Sequence, residues 1–165
     1  METNPPPDRI PPLDALTAIL SRTGLEAAVP RHPGVPSWVF MLDIDRFKTI
    51  NHHVGRAAGD RILAVAGNAV RRSVRAGDLV GRVGGDHFAV VLAIASEIDA
   101  QRVALRVRRS LSAALSPMPE MAGLGGRLSI NVGLCEFGWA DTCAANVLAR
   151  LAMLLRPSAR GQLPS

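Results

Sequence analysis

The stretch Arg82–Phe88 (RVGGDHF) decides the fold, because a Gly-Gly pair between apolar segments is typical of a tight hairpin turn. It predicts strands over 79–83 and 87–93. About forty residues earlier, the continuous apolar run Trp38–Leu42 predicts a buried central strand. That run leads directly into Asp43–Asp45 (DID), so both segments place a carboxylate beside a strand end. Two carboxylates at one edge of a sheet are what a Mg²⁺–nucleotide site needs.

The segments around these strands complete a recognisable order. From Trp38 onward the periodicity predicts β-α-β-β-α-β, the ferredoxin-like arrangement, which brings the first strand beside the middle hairpin so that Asp43 and Asp86 can meet. A ferredoxin-like sheet of this kind, here called the palm, supports metal-assisted phosphoryl chemistry. The other predicted elements are helices over 14–29, from Gly59-Asp60 onward, over 97–115 and over about 144–155, a short turn or helix over 46–54, a strand over 128–134, and loops over 30–36 and 117–126.

Length and composition indicate one globular domain. The chain has 165 residues, of which 48% are hydrophobic and 20% charged, and residues 1–12 hold five of the twelve prolines. We therefore predict an extended Pro-rich tail over 1–12 and a single domain over 13–165. The net charge of +5 favours phosphate-bearing ligands. Aromatic residues make up only 4% of the chain, so stacking on single-stranded nucleic acid is poorly supported and no nucleic-acid partner is expected.

The sequence also predicts a cytoplasmic location without a membrane partner. The longest apolar run, 88–95, is too short to span a bilayer, and the N-terminus lacks the basic and apolar regions of a signal peptide. Cys135 and Cys143 show no metal-ligand spacing and are interpreted as buried, reduced thiols.

Several spaced motifs resemble those of the GGDEF family of diguanylate cyclases, in the family's order and over about residues 14–155. The resemblance implies an α/β (α+β) fold, a ferredoxin-like palm as in nucleotidyl cyclases, with added N- and C-terminal helices. The matching segments are 43–51 (DIDRFKTIN) with Gly55 and Gly59-Asp60 for the family's DxDxFKxxND…G…GD block, 84–88 for GGDEF itself, Asp14–Thr17 with Arg22 for DxLTGLxNR, and 129–133 as a loose match to a late SxG segment.

The resemblance implies chemistry as well as fold. In the family, two GTP-loaded subunits face each other, and each 3′-hydroxyl attacks the partner's α-phosphate to give cyclic di-GMP and pyrophosphate. By that resemblance Asp43, Asp86 and the backbone of Ile44 would hold Mg²⁺ or Mn²⁺, and Asp86 would help to activate the hydroxyl. The implied GTP contacts are Asn51 and Asp60 at the guanine, and Phe47, Lys48, Gly84 and Gly85 around the phosphates.

A further motif, Arg75–Asp78 (RAGD), resembles the family's RxxD inhibitory site for cyclic di-GMP. An Arg fork can bind a guanine edge or a phosphate, and an Asp accepts from guanine N–H groups. Arg75 is otherwise explained as a cation near the end of its helix, but its offset from the Gly-Gly turn favours the ligand site. Arg102 and Arg106 could add a contact from a neighbouring subunit, although a solvated face is the simpler interpretation.

Structural explanations compete with some of these assignments. An Asp at a strand end is commonly a cap, Asp45 and Lys48 can form a solvated pair, and Asp60 can be a residue favoured by a helix N-terminus. For Asp43 and Asp86, their positions within the family pattern favour the functional interpretation.

Four departures from the family pattern weaken the case for catalysis. His87 replaces the Glu of GGDEF, and an imidazole is a poor ligand for Mg²⁺. His52 stands where the family usually has Asp, and Arg56 stands where the family often has His. Of the family's C-terminal Lys/Arg pair, Arg160 is the only candidate replacement. By sequence, His87 is either a tolerated, non-catalytic side chain, which we favour, or an added metal ligand.

Three hypotheses follow. The first is a divergent GGDEF domain that binds GTP, cyclic di-GMP or both, with impaired catalysis. The second is an active diguanylate cyclase that forms a homodimer. The third is an interaction domain that binds no nucleotide.

Overall fold

The computed structural model describes residues 11–29, 37–94, 96–124, 130–137, 146 and 148–149. Within these residues, the elements from Ser37 onward follow the predicted β-α-β-β-α-β order, with the first helical connection divided into two helices. The strands are β1 (Leu20–Ser21), β2 (Ser37–Ile44), β3 (Leu79–Gly84), β4 (His87–Leu92) and β5 (Ile130–Phe137), and the helices are α1 (Arg22–Ala28), α2 (Phe47–Val54), α3 (Arg56–Arg72) and α4 (Glu97–Leu115), followed by a 3₁₀ helix over Pro119–Leu124.

The strands form one mixed sheet in the order β1-β3-β4-β2-β5. The β2 strand is antiparallel to both β4 and β5, β3 is antiparallel to β4, and the two-residue β1 pairs in parallel with β3. The predicted ferredoxin-like order is confirmed, because β2 lies directly beside the β3–β4 hairpin. This pairing is what carries the end of β2 to the hairpin turn.

The continuous apolar run in β2 reflects burial on both faces of the sheet. On one face, Phe40 and Leu42 pack with side chains of α3 and α4 such as Ile62 and Leu111. On the other face, Val39 and Met41 pack with Leu25 of α1 and with Leu148. All four β2 side chains are at most 2% exposed. An alternating strand would have exposed every second residue to water.

The helix predicted over 14–29 is wrong in its first half, because the chain makes a turn there. The Asp14 carboxylate accepts hydrogen bonds from the Thr17 amide (2.9 Å) and hydroxyl (2.7 Å), and Ala18 adopts a left-handed φ of 57°. Such local side-chain bonds compete with helical ones. The helix begins only at Arg22, where the Ser21 hydroxyl caps it by accepting from the Gly24 amide at 3.1 Å.

Other boundaries differ by a few residues. The helix expected to open at Gly59 begins at Arg56, because Gly55, with φ of 84°, separates α2 from α3. The predicted loop over 117–126 contains the 3₁₀ helix, and β5 extends to Phe137. Apart from Asn146, Leu148 and Ala149, which are helical, the helix predicted over 144–155 lies outside the described residues, as do most of the Pro-rich tail and Cys143.

In the part of the chain that the structure describes, no helix combines the length and apolar character needed to cross a bilayer.

Candidate functional site

The hairpin turn between β3 and β4 displays Asp86. The strand β3 ends at Gly84 and β4 begins at His87, leaving Gly85 and Asp86 as the turn. Gly84 and Gly85 have φ values of 149° and 52°, in the region that L side chains rarely adopt, which explains why both positions are glycine. A register shift between Arg82 and Gly84 bends the hairpin just before the turn.

Three candidate metal ligands meet at the end of β2. Asp43 pairs with His87 across the β2–β4 ladder, and Asp86 follows from the turn. One ligand atom from each of Asp43, Asp86 and His87 lies within 4.8 Å of the others, and His87 Nε2 is 3.6 Å from Asp43 Oδ1. The structure therefore brings together the two carboxylates and the histidine that the sequence singled out.

The two carboxylates are electrostatically unfavourable neighbours. Burial raises the pKa of Asp86 to about 6, and the hydrogen bond and charge of Asp43 add to the rise, against smaller opposing effects of a backbone hydrogen bond and His87. One proton is therefore held by the pair more tightly than by an isolated Asp. A bound divalent cation would remove this repulsion, and the arrangement is suited to hold one.

Asn131 is a contributor that the sequence did not identify as part of this site. It lies opposite Asp43 in the β2–β5 ladder, and its Nδ2 donates to Asp43 Oδ2 at 3.4 Å. This contact leaves Oδ1 on the side of His87. The alternation of polar and apolar residues in β5 identifies Asn131 as a polar residue of the strand. It does not predict the strand register that pairs Asn131 with Asp43.

Arg82 links the Asp86 turn to the N-terminal turn, and this contact was also missed. Its Nε donates to the Gly85 carbonyl at 2.8 Å, while its Nη1 lies 3.2 Å from Asp14 Oδ2. Partial burial would raise the pKa of Asp14, but the Thr17 hydrogen bonds and the Arg82 charge outweigh it, so that the pKa is lowered. Arg82 and Asp14 are 68 residues apart, and no local pattern predicts their pairing.

Apart from the hairpin glycines, the residues implied to contact GTP form a second group on α2 and α3. α2 begins at Phe47 without a side-chain cap, so its first amides are available to an anion, and Lys48 is exposed beside them. Asn51 packs closely against Gly59, where an added Cβ would lie 1.6 Å from Asn51 Oδ1. That Oδ1 is buried without a hydrogen-bond partner among the described residues, and the adjacent Asp60 is exposed.

Arg75 and Asp78 share one tight turn after α3. Asp78 Oδ2 accepts from the Arg75 amide at 2.9 Å, and the Arg71 guanidinium donates to the carbonyls of Asp78 (2.8 Å) and Arg75 (2.6 Å). These bonds fix the backbone of the turn while the Arg75 side chain is exposed. The exposed Arg75 guanidinium therefore extends from a hydrogen-bonded turn toward solvent, where it can reach a ligand.

The two α4 arginines differ in their contacts. Arg106 Nε donates to the Ser73 carbonyl at 3.1 Å, which places it beside the turn of Arg75. Arg102 instead pairs with Asp99 at 3.1 Å within its own helix, as expected for a solvated face.

We expect the substitution Asp86→Asn to stabilise the metal-free protein at pH 8. The pKa of Asp86 is raised in the folded protein, so its protonated carboxyl contributes fully to stability below pH 3.8. That contribution is lost as the pH rises through about 6, whereas an amide at this position does not ionise. After discounting for its partial exposure, we expect a gain of about 1 kcal/mol. Chemical denaturation in the presence of a chelator, from pH 4 to 8, measures it. A constant difference between variant and wild type across this range would contradict the assignment.

The fold and the acidic cluster define a palm-type domain with a candidate metal centre at its hairpin. Over residues 12–155 the chain matches the family described as diguanylate cyclase, GGDEF domain. The chain therefore belongs to the GGDEF family, as its motifs indicated.

Curated relatives agree with this assignment. The chain is 37% identical over 140 residues to diguanylate cyclase TpbB of Pseudomonas aeruginosa, covering 80% of this chain and 32% of TpbB. It is 35% identical over 131 residues to diguanylate cyclase DosC of Escherichia coli, covering 76% and 28% respectively. The chain thus spans about a third of the length of these relatives.

Solved structures show the same fold. The GGDEF domain of TpbB from P. aeruginosa superposes with a TM-score of 0.69 at 32% identity, covering 86% of this chain and 84% of that one. A microbial GGDEF domain, solved in a study of its interaction with cyclic di-GMP, has a TM-score of 0.63 at 26% identity, covering 86% and 88%.

Proposed function

We propose that this domain acts in cyclic di-GMP signalling as a divergent GGDEF domain, binding GTP, cyclic di-GMP or both, with impaired Mg²⁺-dependent cyclisation. The observation that carries the proposal is the composition of the candidate metal centre. The two carboxylates Asp43 and Asp86 are present, but the position of the Glu in GGDEF is occupied by His87, 3.6 Å from Asp43. The centre has one negative charge fewer than the family motif provides, which weakens binding of a hard cation.

The case for cyclic di-GMP rests on the turn of Arg75 and Asp78. Its backbone is held by Arg71, so the exposed Arg75 guanidinium is presented without further ordering of the loop. Arg106 lies beside the same turn and adds positive charge. A guanidinium on a hydrogen-bonded turn suits the guanine edge or the phosphates of a cyclic dinucleotide. A related GGDEF domain of known structure interacts with cyclic di-GMP.

The case for GTP rests on α2, α3 and the hairpin. The uncapped amides of Phe47 and Lys48 suit a phosphate. Asn51 and Asp60 offer an amide and a carboxylate that can bind the guanine edge. Gly84 and Gly85 allow the backbone of the hairpin to approach the nucleotide closely. A cation held by Asp43, Asp86 and the Ile44 backbone, Mg²⁺ or Mn²⁺, would neutralise the phosphates. The Asp86 carboxylate would accept the proton of the attacking hydroxyl.

Cyclisation is expected to be impaired for a second reason. The family pattern places a Lys and an Arg near the C-terminus, whereas this sequence offers Arg160 alone. With one basic group at most, the triphosphate would be held less firmly.

An active diguanylate cyclase is the second candidate, since both carboxylates are retained and lie close enough to share a cation. In that case a homodimer in the cytoplasm is the proposed working form, because each active site would contribute one GTP.

The deciding experiment uses protein freed of bound nucleotide. Cyclic di-GMP binding is measured by calorimetry for wild type, Arg75→Ala and, as a control, Arg109→Ala, an exposed arginine on α4. Turnover of GTP to cyclic di-GMP and pyrophosphate is followed with Mg²⁺ and with Mn²⁺, with Asp86→Ala beside it. We expect binding that falls at least about tenfold in Arg75→Ala alone, and little turnover with Mg²⁺.

Robust Mg²⁺-dependent turnover that disappears in Asp86→Ala would overturn impaired catalysis in favour of the active cyclase. A folded protein that binds neither GTP nor cyclic di-GMP would overturn the proposal altogether and leave an interaction domain.

A further inference from the structure

We propose that His87 is a metal ligand, and that the Asp43–Asp86–His87 cluster selects a first-row transition-metal divalent cation over Mg²⁺. The inference deepens the proposed function and rests on its metal site, but not on catalysis or on the Arg75 turn. The replacement of Glu by His then changes which metal the domain uses, and does not simply remove a ligand.

Backbone geometry places the donors. Asp43 and His87 are directly opposed in the β2–β4 ladder, so their side chains leave the sheet on the same face. Asp86 approaches from the adjacent turn, and one donor atom of each residue lies within 4.8 Å of the others. Two donors at about 2.1 Å from one ion lie about 3–4 Å apart, so the 3.6 Å between Nε2 and Oδ1 already suits a shared cation.

The surroundings leave the donors free to coordinate. Asn131 bonds to Oδ2 of Asp43, which orients the carboxylate and leaves Oδ1 toward His87. The His87 side chain is 40% exposed, so the remaining coordination positions are open to water or to a phosphate.

Ligand chemistry then determines the choice of metal. Mg²⁺ prefers oxygen donors and keeps its water, whereas neutral imidazole suits Fe²⁺, Ni²⁺, Cu²⁺ and Zn²⁺; Mn²⁺ is the weakest-binding member of the same first-row series. Two carboxylates and one imidazole form a mixed O,O,N set of the kind that binds such ions. A carboxylate at position 87 would instead add a negative charge and favour Mg²⁺.

Mn²⁺ is the probe for the test, because it reports both affinity and ligand identity. The protein alone, without nucleotide, is titrated with Mn²⁺ and followed by electron paramagnetic resonance, and Mg²⁺ affinity is obtained by competition. Pulsed measurements on the Mn²⁺ complex detect the nitrogen of a coordinated imidazole. The variants are His87→Gln, which removes the imidazole without adding charge, His87→Glu, which restores the family carboxylate, and His53→Gln, which removes an exposed imidazole outside the cluster.

We expect nitrogen coupling in wild type and His53→Gln but not in His87→Gln, and about a tenfold loss of Mn²⁺ affinity in His87→Gln. The ratio of the Mg²⁺ to the Mn²⁺ dissociation constant should be about tenfold smaller in His87→Glu than in wild type. Absence of nitrogen coupling in wild type, or unchanged Mn²⁺ affinity in His87→Gln, would overturn the proposal and leave His87 as a cross-strand neighbour of Asp43.

The result is separable from that of the proposed function. Cyclic di-GMP binding to the same variants reports on the Arg75 turn and on folding. A wild-type protein that binds cyclic di-GMP but shows no nitrogen coupling refutes only the role of His87. A wild-type protein that shows nitrogen coupling but binds neither GTP nor cyclic di-GMP refutes only the proposed function.

Discussion

Gly59→Ala is expected to destabilise the protein by about 2 kcal/mol, and to become neutral or stabilising when Asn51 is also replaced by Ala. A Cβ at position 59 would lie 1.6 Å from Asn51 Oδ1 and 2.7 Å from its Cγ, so the amide or the α2–α3 packing must shift. In the Asn51→Ala background the obstacle is gone. The higher helix propensity of Ala, about 1 kcal/mol, then acts alone.

The four proteins form a double-mutant cycle, measured by chemical denaturation. Gly77→Ala is the control, since a Cβ there would meet nothing within 4 Å. We also expect Gly59→Ala to weaken GTP binding more than Gly77→Ala does, because the displaced amide is the proposed guanine contact. Equal effects of Gly59→Ala in both backgrounds would show that Asn51 and Gly59 are not coupled.

This coupling illustrates what local patterns could not provide. Asn51 and Gly59 were both singled out as parts of one motif, but the motif does not say that one position is glycine so that the other can fit. Their contact depends on how α2 and α3 pack after the break at Gly55. Close packing between helices is a property of the tertiary structure.

The sheet, by contrast, was largely predictable. The run Trp38–Leu42 predicts a central strand, and the Gly-Gly turn at 84–85 predicts a hairpin. Because crossover connections in a sheet are right-handed, one arrangement remains that buries these strands. The meeting of Asp43 with Asp86 follows from that arrangement. The prediction of a helix over the first half of 14–29 was wrong because the Asp14 carboxylate accepts hydrogen bonds from the Thr17 amide and hydroxyl. Helical periodicity does not reveal such a local preference.

Arg82→Ala is expected to destabilise the protein by about 2 kcal/mol and to weaken Mn²⁺ binding, although Arg82 is not itself a ligand. The guanidinium pairs with Asp14 and donates to the Gly85 carbonyl, and both partners of the ion pair are at least three-quarters buried, with 17% and 22% of their side chains exposed. Removing it leaves the Asp14 carboxylate without its cation. It also releases the turn that positions Asp86.

The pH dependence identifies the mechanism. Since the pKa of Asp14 is lowered in the folded protein, its contribution to stability is present above the ordinary value of 3.8 and is lost as the pH falls through the lowered value. The difference in unfolding free energy between wild type and Arg82→Ala should therefore be larger at pH 7 than near pH 3.

Arg102→Ala provides the matched control, because its ion pair with Asp99 is exposed and should contribute at most about 0.5 kcal/mol. Arg82→Lys keeps the charge but loses the fork that spans Asp14 and Gly85, so it should recover part of the stability and little of the Mn²⁺ affinity. If Arg82→Ala lowered stability but left Mn²⁺ affinity unchanged, the N-terminal turn would be a structural support with no influence on the metal centre. The expected loss of both would make Arg82 the positioning residue that couples the turn at Asp14 to Asp86.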